Sequence, residues 1–445
     1  MRRTVSLKKG LNLNLEGGMS SEKPDVTALP TRVAVIPDDF PGFLPKLDVS
    51  EGDAVKAGSP LLHHKTDTRI RLVAPAAGVV ESVIRGARRK IERVVVRIQG
   101  DETENVTPFA DADAATITER LMASGLWAMM RRRPYDIIPM PDDAPRSIMI
   151  TAMDTAPLAP SPEALVAGRT EELAAAVRVL GKLTGGHIYI GVAAGSSLPD
   201  IPGAETVEFP RLHPAGNAGV QIANIEPVNK GEVVWTLDIT TLARIGRLAL
   251  TGKPDWSAAV AVTGSEVIAP RMEKSIVGAE LSALLEGELK TDGRHQRIIS
   301  GNVLTGTRES LDGFLRYPYR QITVIPEGDD ADEFMGWASL SPSKMSVSPS
   351  FLGHFLKRKF TPDARINGGR RAMIMSGEYD KVFPMDILPE YLIKAILAKD
   401  IDRMEALGIY EVAPEDFALA EYVDPSKLEL QKIVREGLDY LRSEV

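Results

Sequence analysis

Over the first hundred positions, short runs of valine and isoleucine alternate with turn residues. Arg32 to Ile36, Val79 to Ile84 and Val94 to Ile98 have the make-up of strands. Between them Glu51-Gly52-Asp53 and Lys56-Ala57-Gly58 supply turn chemistry. The pattern predicts a small all-β unit over residues 33–100, preceded by an irregular, glycine-rich strap over 1–32.

Beyond residue 100 the period changes. Ala112 to Ser124 and Arg169 to Leu183 have helical spacing and stop at Gly125 and at Gly185-Gly186. Ser147 to Ala152, His187 to Val192 and Val233 to Ile239 read as strands, and Thr241 to Leu250 continues the alternation. Residues 101–256 therefore predict an α/β layer structure. Residues 257–330 predict a small α+β unit, with a helix at Gly278 to Leu285 and strands at Ala258 to Thr263, Arg297 to Ser300 and Ile322 to Ile325. A Ser/Pro-rich linker over 331–350 leads into a helical remainder ending at 445, with single helices expected over Pro389 to Leu407 and Pro425 to Leu441.

Composition narrows the function. The chain has 445 residues, 44% hydrophobic and 26% charged, as in folded globular protein. A net charge of −8 argues against a general nucleic-acid partner. The absence of cysteine excludes disulfides, thiolate nucleophiles and cysteine-held metal or clusters. It also fits a cytosolic chain. No run approaches the ~20 apolar residues of a membrane span, and the Met1–Lys9 start lacks the apolar core of a signal peptide.

Candidate chemistry is sparse. Glu51 to Leu61, then Thr66-Asp67-Thr68 and Ala74 to Val80, resemble a biotinyl/lipoyl carrier domain. Thr68 stands where a carrier has its modified lysine, and Lys65 falls three residues early, on the expected strand. Adjacent His63 and His64 point to opposite faces of a strand and have no partner at ligand spacing, so no metal site is assigned. Arg131-Arg132-Arg133 and the group Lys357-Arg358-Lys359, Arg365, Arg370 and Arg371, opposed only by Asp363, read first as solvated faces. The other reading is docking on acidic subunits or anionic lipid.

The carrier-like unit, then Ser124-Gly125-Leu126-Trp127, Arg131-Arg132-Arg133-Pro134 and His213-Pro214-Ala215-Gly216-Asn217, in this order, resemble the A subunit of the sodium-translocating NADH:quinone oxidoreductase. The resemblance implies a peripheral member of a six-subunit complex on the cytoplasmic face of the bacterial inner membrane. Its neighbours would include the quinone-reducing membrane subunit. Electrons pass from NADH to quinone in that complex while sodium is exported.

The family is also similar, more distantly, to the flavin- and iron–sulfur-bearing subunits of the Rnf complex and of respiratory complex I. They hold FMN on a glycine-rich loop, and the matching segment here keeps Gly125 but carries bulky Trp127. Pro384 to Pro389 looks like the stretch that follows a ferredoxin-type cysteine run. The four ligand positions before it are Met373, Ser376, Tyr379 and Phe383, and a second echo places Asp424 at a cysteine position. FMN and iron–sulfur clusters are therefore expected to be absent, with Phe383 and Met373 filling the vacated space.

These readings give four units: a carrier-like barrel-sandwich hybrid, a Rossmann-like α/β domain, a ubiquitin-like β-grasp (SLBB-type) α+β domain and a helical domain resembling a cluster-free ferredoxin domain. The expected function is a non-redox subunit that supports quinone reduction and takes quinone as its one candidate ligand. No catalytic, cofactor-binding or metal residue is named, and the isolated chain is expected to have no activity. An independent NADH-binding flavoenzyme and a ligand-free assembly protein stay open as alternatives.

Overall fold

The structure is a computed structural model that describes residues 2–24, 26–329, 352–356 and 358–444, with Met345 and Val347. The linker expected over 331–350 lies almost wholly outside the described residues.

The first unit is two facing sheets. One orders Arg32–Val35, Ile91–Ile98, Gly78–Arg85 and Ala54–Val55; the other orders Pro45–Leu47, Pro60–His64 and Arg71–Val73. Alternate positions point inward, so Val33, Leu61, Leu72, Val94 and Val96 are buried together. Those residues share one apolar cluster with Ile148, Leu180 and Leu242 of the next unit. The change of pattern near residue 100 therefore does not separate two cores.

The second unit has a six-stranded sheet. Its parallel centre runs Glu205–Phe209, His187–Ala193, Ser147–Thr151, Val234–Asp238, with Arg131–Arg133 antiparallel at one edge. The central strands are buried on both faces, which explains their continuous apolar runs. Helices Thr170–Gly181 and Ile239–Thr251 pack together on one face.

The third unit is a second six-stranded sheet in which Ser257–Thr263 lies parallel to Gln321–Pro326. Its helix is shorter than expected, Leu281–Leu285, because the chain at Gly278 is in the left-handed region and Glu280 is still extended.

Four other expectations need correction. The first 32 residues are not merely an irregular strap. Arg3–Thr4 extends the α/β sheet beside Glu205–Phe209, and Val26–Thr27 extends the α+β sheet beside Arg271–Ile276. The helix expected over Pro389 to Leu407 is two, Pro389–Leu397 and Ile401–Ala406. Lys399 turns left-handed, and Asp400 starts the second helix by accepting from Arg403 N at 3.1 Å. The last helix begins at Leu430 rather than Pro425. There the Asp424 carboxylate binds the amides of Ser426 and Leu428 at 3.0 and 2.7 Å and holds a turn instead. Finally, Lys65 lies one residue past the end of its strand, in the turn that also carries Thr68.

The C-terminal helices enclose their own core around Tyr379, Phe383, Leu392, Phe417 and Leu438. Phe383 is buried as expected, while Met373 is only partly buried against that core. Tyr379 is buried and Ser376 exposed.

Candidate functional site

Order of strands, more than any motif, locates the site. The chain enters the parallel sheet at Ser147–Thr151, moves outward through His187–Ala193 to Glu205–Phe209, then returns to Val234–Asp238 on the other side. A crevice opens at the carboxyl ends of parallel strands where the order reverses, the usual ligand position in open α/β sheets. Here Thr151 and Asp238 are register partners at that edge, and both line a cavity of about 450 Å³.

All four units wall the cavity. The first supplies Asp38 and Asp39, the second Met153, Asp154, His213 and Asn217, the third Arg316, Tyr317, Tyr319 and Arg320, and the C-terminal unit Glu415, Gln431 and Arg435.

Asp39 ends a short 3-10 turn and is buried. It accepts from Arg316 Nε at 2.7 Å and from Tyr317 N at 2.9 Å. Burial pushes its carboxyl up to about 6, with Arg316 opposing. The Tyr317 ring stacks on Phe40 at 5.1 Å, Arg131 lies over both rings, and the Tyr317 hydroxyl donates to Met129 O at 2.7 Å.

Asp238 caps the Ile239–Thr251 helix, accepting from the amides of Thr240 and Thr241 at 2.8 and 3.1 Å. Arg320 lies 3.0 Å away. Burial works against its charge, but Arg320 and the two threonine hydroxyls outweigh burial and hold Asp238 well below the usual carboxylate range.

The other helix opening on the cavity, Ala218–Ile225, is also occupied. Glu415 accepts from Ala218 N, and a Cβ on Gly219 would collide with Asp416 Oδ2. Both helix N-termini at the crevice thus carry the chain's own carboxylates, where other folds place a phosphate.

His213 is 3% exposed. Its Nδ1 lies 3.1 Å from Thr155 Oγ1, while Nε2 is buried without a partner in a residue that lines the cavity. Burial pushes it down to about 4, so the ring is neutral near pH 7. The strap holds its backbone: His213 N donates to Asn12 Oδ1 at 2.7 Å and Leu11 N donates to His213 O at 2.9 Å.

Of the motifs singled out in the sequence, the His213-to-Asn217 stretch reaches the cavity, as does Arg131-to-Pro134 through Arg131 and Arg133. Ser124 to Trp127 does not. Gly125 is left-handed after its helix, and Trp127 is buried, donating to Pro139 O at 2.8 Å and meeting Trp235 edge-on at 5.2 Å.

Arg131–Arg133 is neither a solvated face nor a lipid-docking patch. Arg131 donates to Asp39 O at 2.7 Å, Arg132 pairs with Asp143 at 3.3 Å, and Arg133 is buried against Asp136, Glu415 and Asp416. In the second basic group Lys357 lies outside the described residues. Asp363 is not the sole acid there, since Arg370 pairs with Glu429 at 3.0 Å. His63 likewise has an acidic partner, Asp48 at 2.7 Å. His64 is buried and its Nε2 lies 3.2 Å from Gly42 O. The two rings face different surroundings and do not converge.

Sequence reading missed Asp39, Asp154, Asp238, Arg316, Tyr317 and Glu415. One signal was present: Asp238 ends an apolar strand directly before a helix, which is both a capping position and the carboxyl edge of a sheet.

Three family models match successive parts of the chain. These are the NqrA N-terminal barrel-sandwich hybrid domain over residues 5–99, the NqrA second alpha/beta domain over 112–254 and the NQRA C-terminal domain over 259–310. The chain is 36% identical over 449 residues to the A subunit of the Na(+)-translocating NADH-quinone reductase of Pasteurella multocida, and 38% identical over 451 residues to that of Neisseria meningitidis serogroup B. It is 37% identical over 452 residues to that of Klebsiella pneumoniae. Each likeness covers 99% of this chain and 100% of the relative. The chain therefore belongs to the NqrA family, the A subunits of Na(+)-translocating NADH-quinone reductases.

Proposed function

We propose that this chain is a non-redox subunit of the sodium-translocating NADH:quinone reductase and that its central cavity holds a quinone head while partner subunits deliver the electrons. End-to-end likeness to proteins named as the A subunit of that reductase carries the reading. No helix among the described residues is long and apolar enough to cross a membrane; the proposed place of the chain is peripheral, on the cytoplasmic face of the membrane-bound complex. The chain has no cysteine for a cluster.

The cavity adds support. Its volume of about 450 Å³ lies within the range of ~300–1,000 Å³ usual for small-molecule sites. Both nearby helix N-termini are filled by carboxylates, so a ligand without phosphate suits it better than a nucleotide. Tyr317, Met129 and Met153 offer apolar contact, and the neutral His213 offers a polar one.

Membranes from a host lacking this chain, complemented with it or with an empty vector, test the proposal. With the chain, NADH-driven quinone reduction should be sodium-stimulated. Without it, NADH should still reduce an artificial electron acceptor while quinone reduction fails. Equal quinone reduction in both membranes would overturn the reading.

A further inference from the structure

Three carboxylates share one guanidinium at the cavity wall. Glu415 Oε1 lies 3.1 Å from Arg133, Asp416 Oδ2 3.4 Å and Asp136 Oδ1 3.8 Å. Arg133 and Asp416 are withdrawn from water, with side chains 2% and 0% exposed. Glu415 is the outward member, 43% exposed and lining the cavity.

Every group facing Glu415 leaves this imbalance in place. The strand Arg131–Arg133 and the turn after it bring Arg133 and Asp136, and the Ala218 amide donates from its helix. The third unit brings Tyr319, whose phenol is held above its usual range by burial. Arg435 lines the same cavity but is engaged elsewhere, donating to Tyr135 O at 2.7 Å and pairing with Asp439 at 2.9 Å. His213 is neutral. Surplus negative charge away from bulk water is relieved by taking up a proton. The Glu415 side chain keeps 43% of its surface open, but that surface faces the cavity; loss of bulk hydration there, then Asp416, push it up to about 7, and burial pushes Asp416 up as well.

We propose that Glu415 is the hydrogen-bond donor through which the cavity holds a carbonyl oxygen of the quinone head. A neutral carboxyl has an O–H to give to a carbonyl. Its carboxylate form can only accept, and it meets the carbonyl lone pairs with like charge. The assignment rests on the quinone reading above and adds the group that grips the ligand and makes the grip proton-linked.

Equilibrium dialysis of the full chain against ubiquinone-1, from pH 6 to pH 8, tests it. With the carboxyl titrating at about 7, the Kd of the wild type should rise roughly tenfold across that range. Glu415→Gln keeps the size and a neutral N–H donor, so it should bind as the wild type does at pH 6 and stay flat with pH. Glu415→Leu should bind weakly throughout, with melting curves confirming that both variants fold. A flat wild-type profile, or a Glu415→Gln variant as weak as Glu415→Leu, would overturn the assignment and leave the quinone reading standing. No binding by the wild type at any pH would overturn both.

Discussion

The rings of Phe383 and Phe417 meet with centroids 4.9 Å apart and planes inclined by 52°. Phe383 is 2% exposed and Phe417 fully buried, so the pair lies at the heart of the C-terminal core. Phe383→Ala removes one partner and leaves a cavity. The expected cost is about 3–5 kcal/mol. Calorimetry of the isolated variant should show a clearly lowered melting transition, and an unshifted one would mean that the ring matters only to a partner subunit.

Among the described residues Arg133 is the one cation paired with the carboxylates of Asp136, Glu415 and Asp416 and offsets part of their charge. Replacing it by methionine strands Asp416 in the interior, a loss of about 3–5 kcal/mol. The sign with pH follows from the raised carboxyls. They are ionised at high pH, so the variant should be weaker relative to wild type at pH 8 than at pH 6. Denaturant titrations at the two values measure the difference, and equal losses would show that the carboxylates do not feel Arg133.

His213 gives acid sensitivity of opposite origin. Its folded value is lowered to about 4 while an unfolded histidine titrates near ~6.5. Stability is full above the unfolded value and falls as pH drops from there towards 4, because the unfolded chain takes the proton more readily. The loss should approach about 3 kcal/mol. His213→Gln should flatten the stability curve over that window, and an unchanged slope would assign the acid loss to other groups.

Thr68 stands in the hairpin turn where a carrier domain presents its lysine. The chain purified from its native host should have its unmodified mass. A lipoyl or biotinyl increment mapped to residues 60–75 would contradict this. The same preparation should be colourless, and a stoichiometric flavin spectrum would revive the flavoenzyme alternative.

Much of the fold could be read from period alone, because buried parallel strands such as His187–Ala193 and amphipathic helices such as Leu430–Glu444 announce themselves locally. The cavity could not. Asp39, Asp238, Arg316 and Glu415 are scattered along the chain, and the packing of four units around the edge of one sheet brings them together. Arg133 misled for the same reason: beside Arg131 and Arg132 it looks solvated, whereas its acids come from Asp136 nearby and from Glu415 and Asp416 far along the chain. Lys399 and Asp424 show a different limit. A single left-handed residue and a single capping side chain redrew two helix boundaries that apolar spacing had run through.

The strap imposes an order on folding. Arg3–Thr4 adds to one sheet, Val26–Thr27 to another, and between them Leu15 bridges to Phe360 while Gly10 N donates to Lys381 O. Contacts so distant along the chain close late, since the loop between them must be gathered first. During synthesis Arg3–Thr4 and Val26–Thr27 could pair once their sheets had formed, but the stretch between them would lack its last partners until Phe360 and Lys381 had left the ribosome. It would then stitch finished sheets together, setting the walls of the cavity in place as its final act.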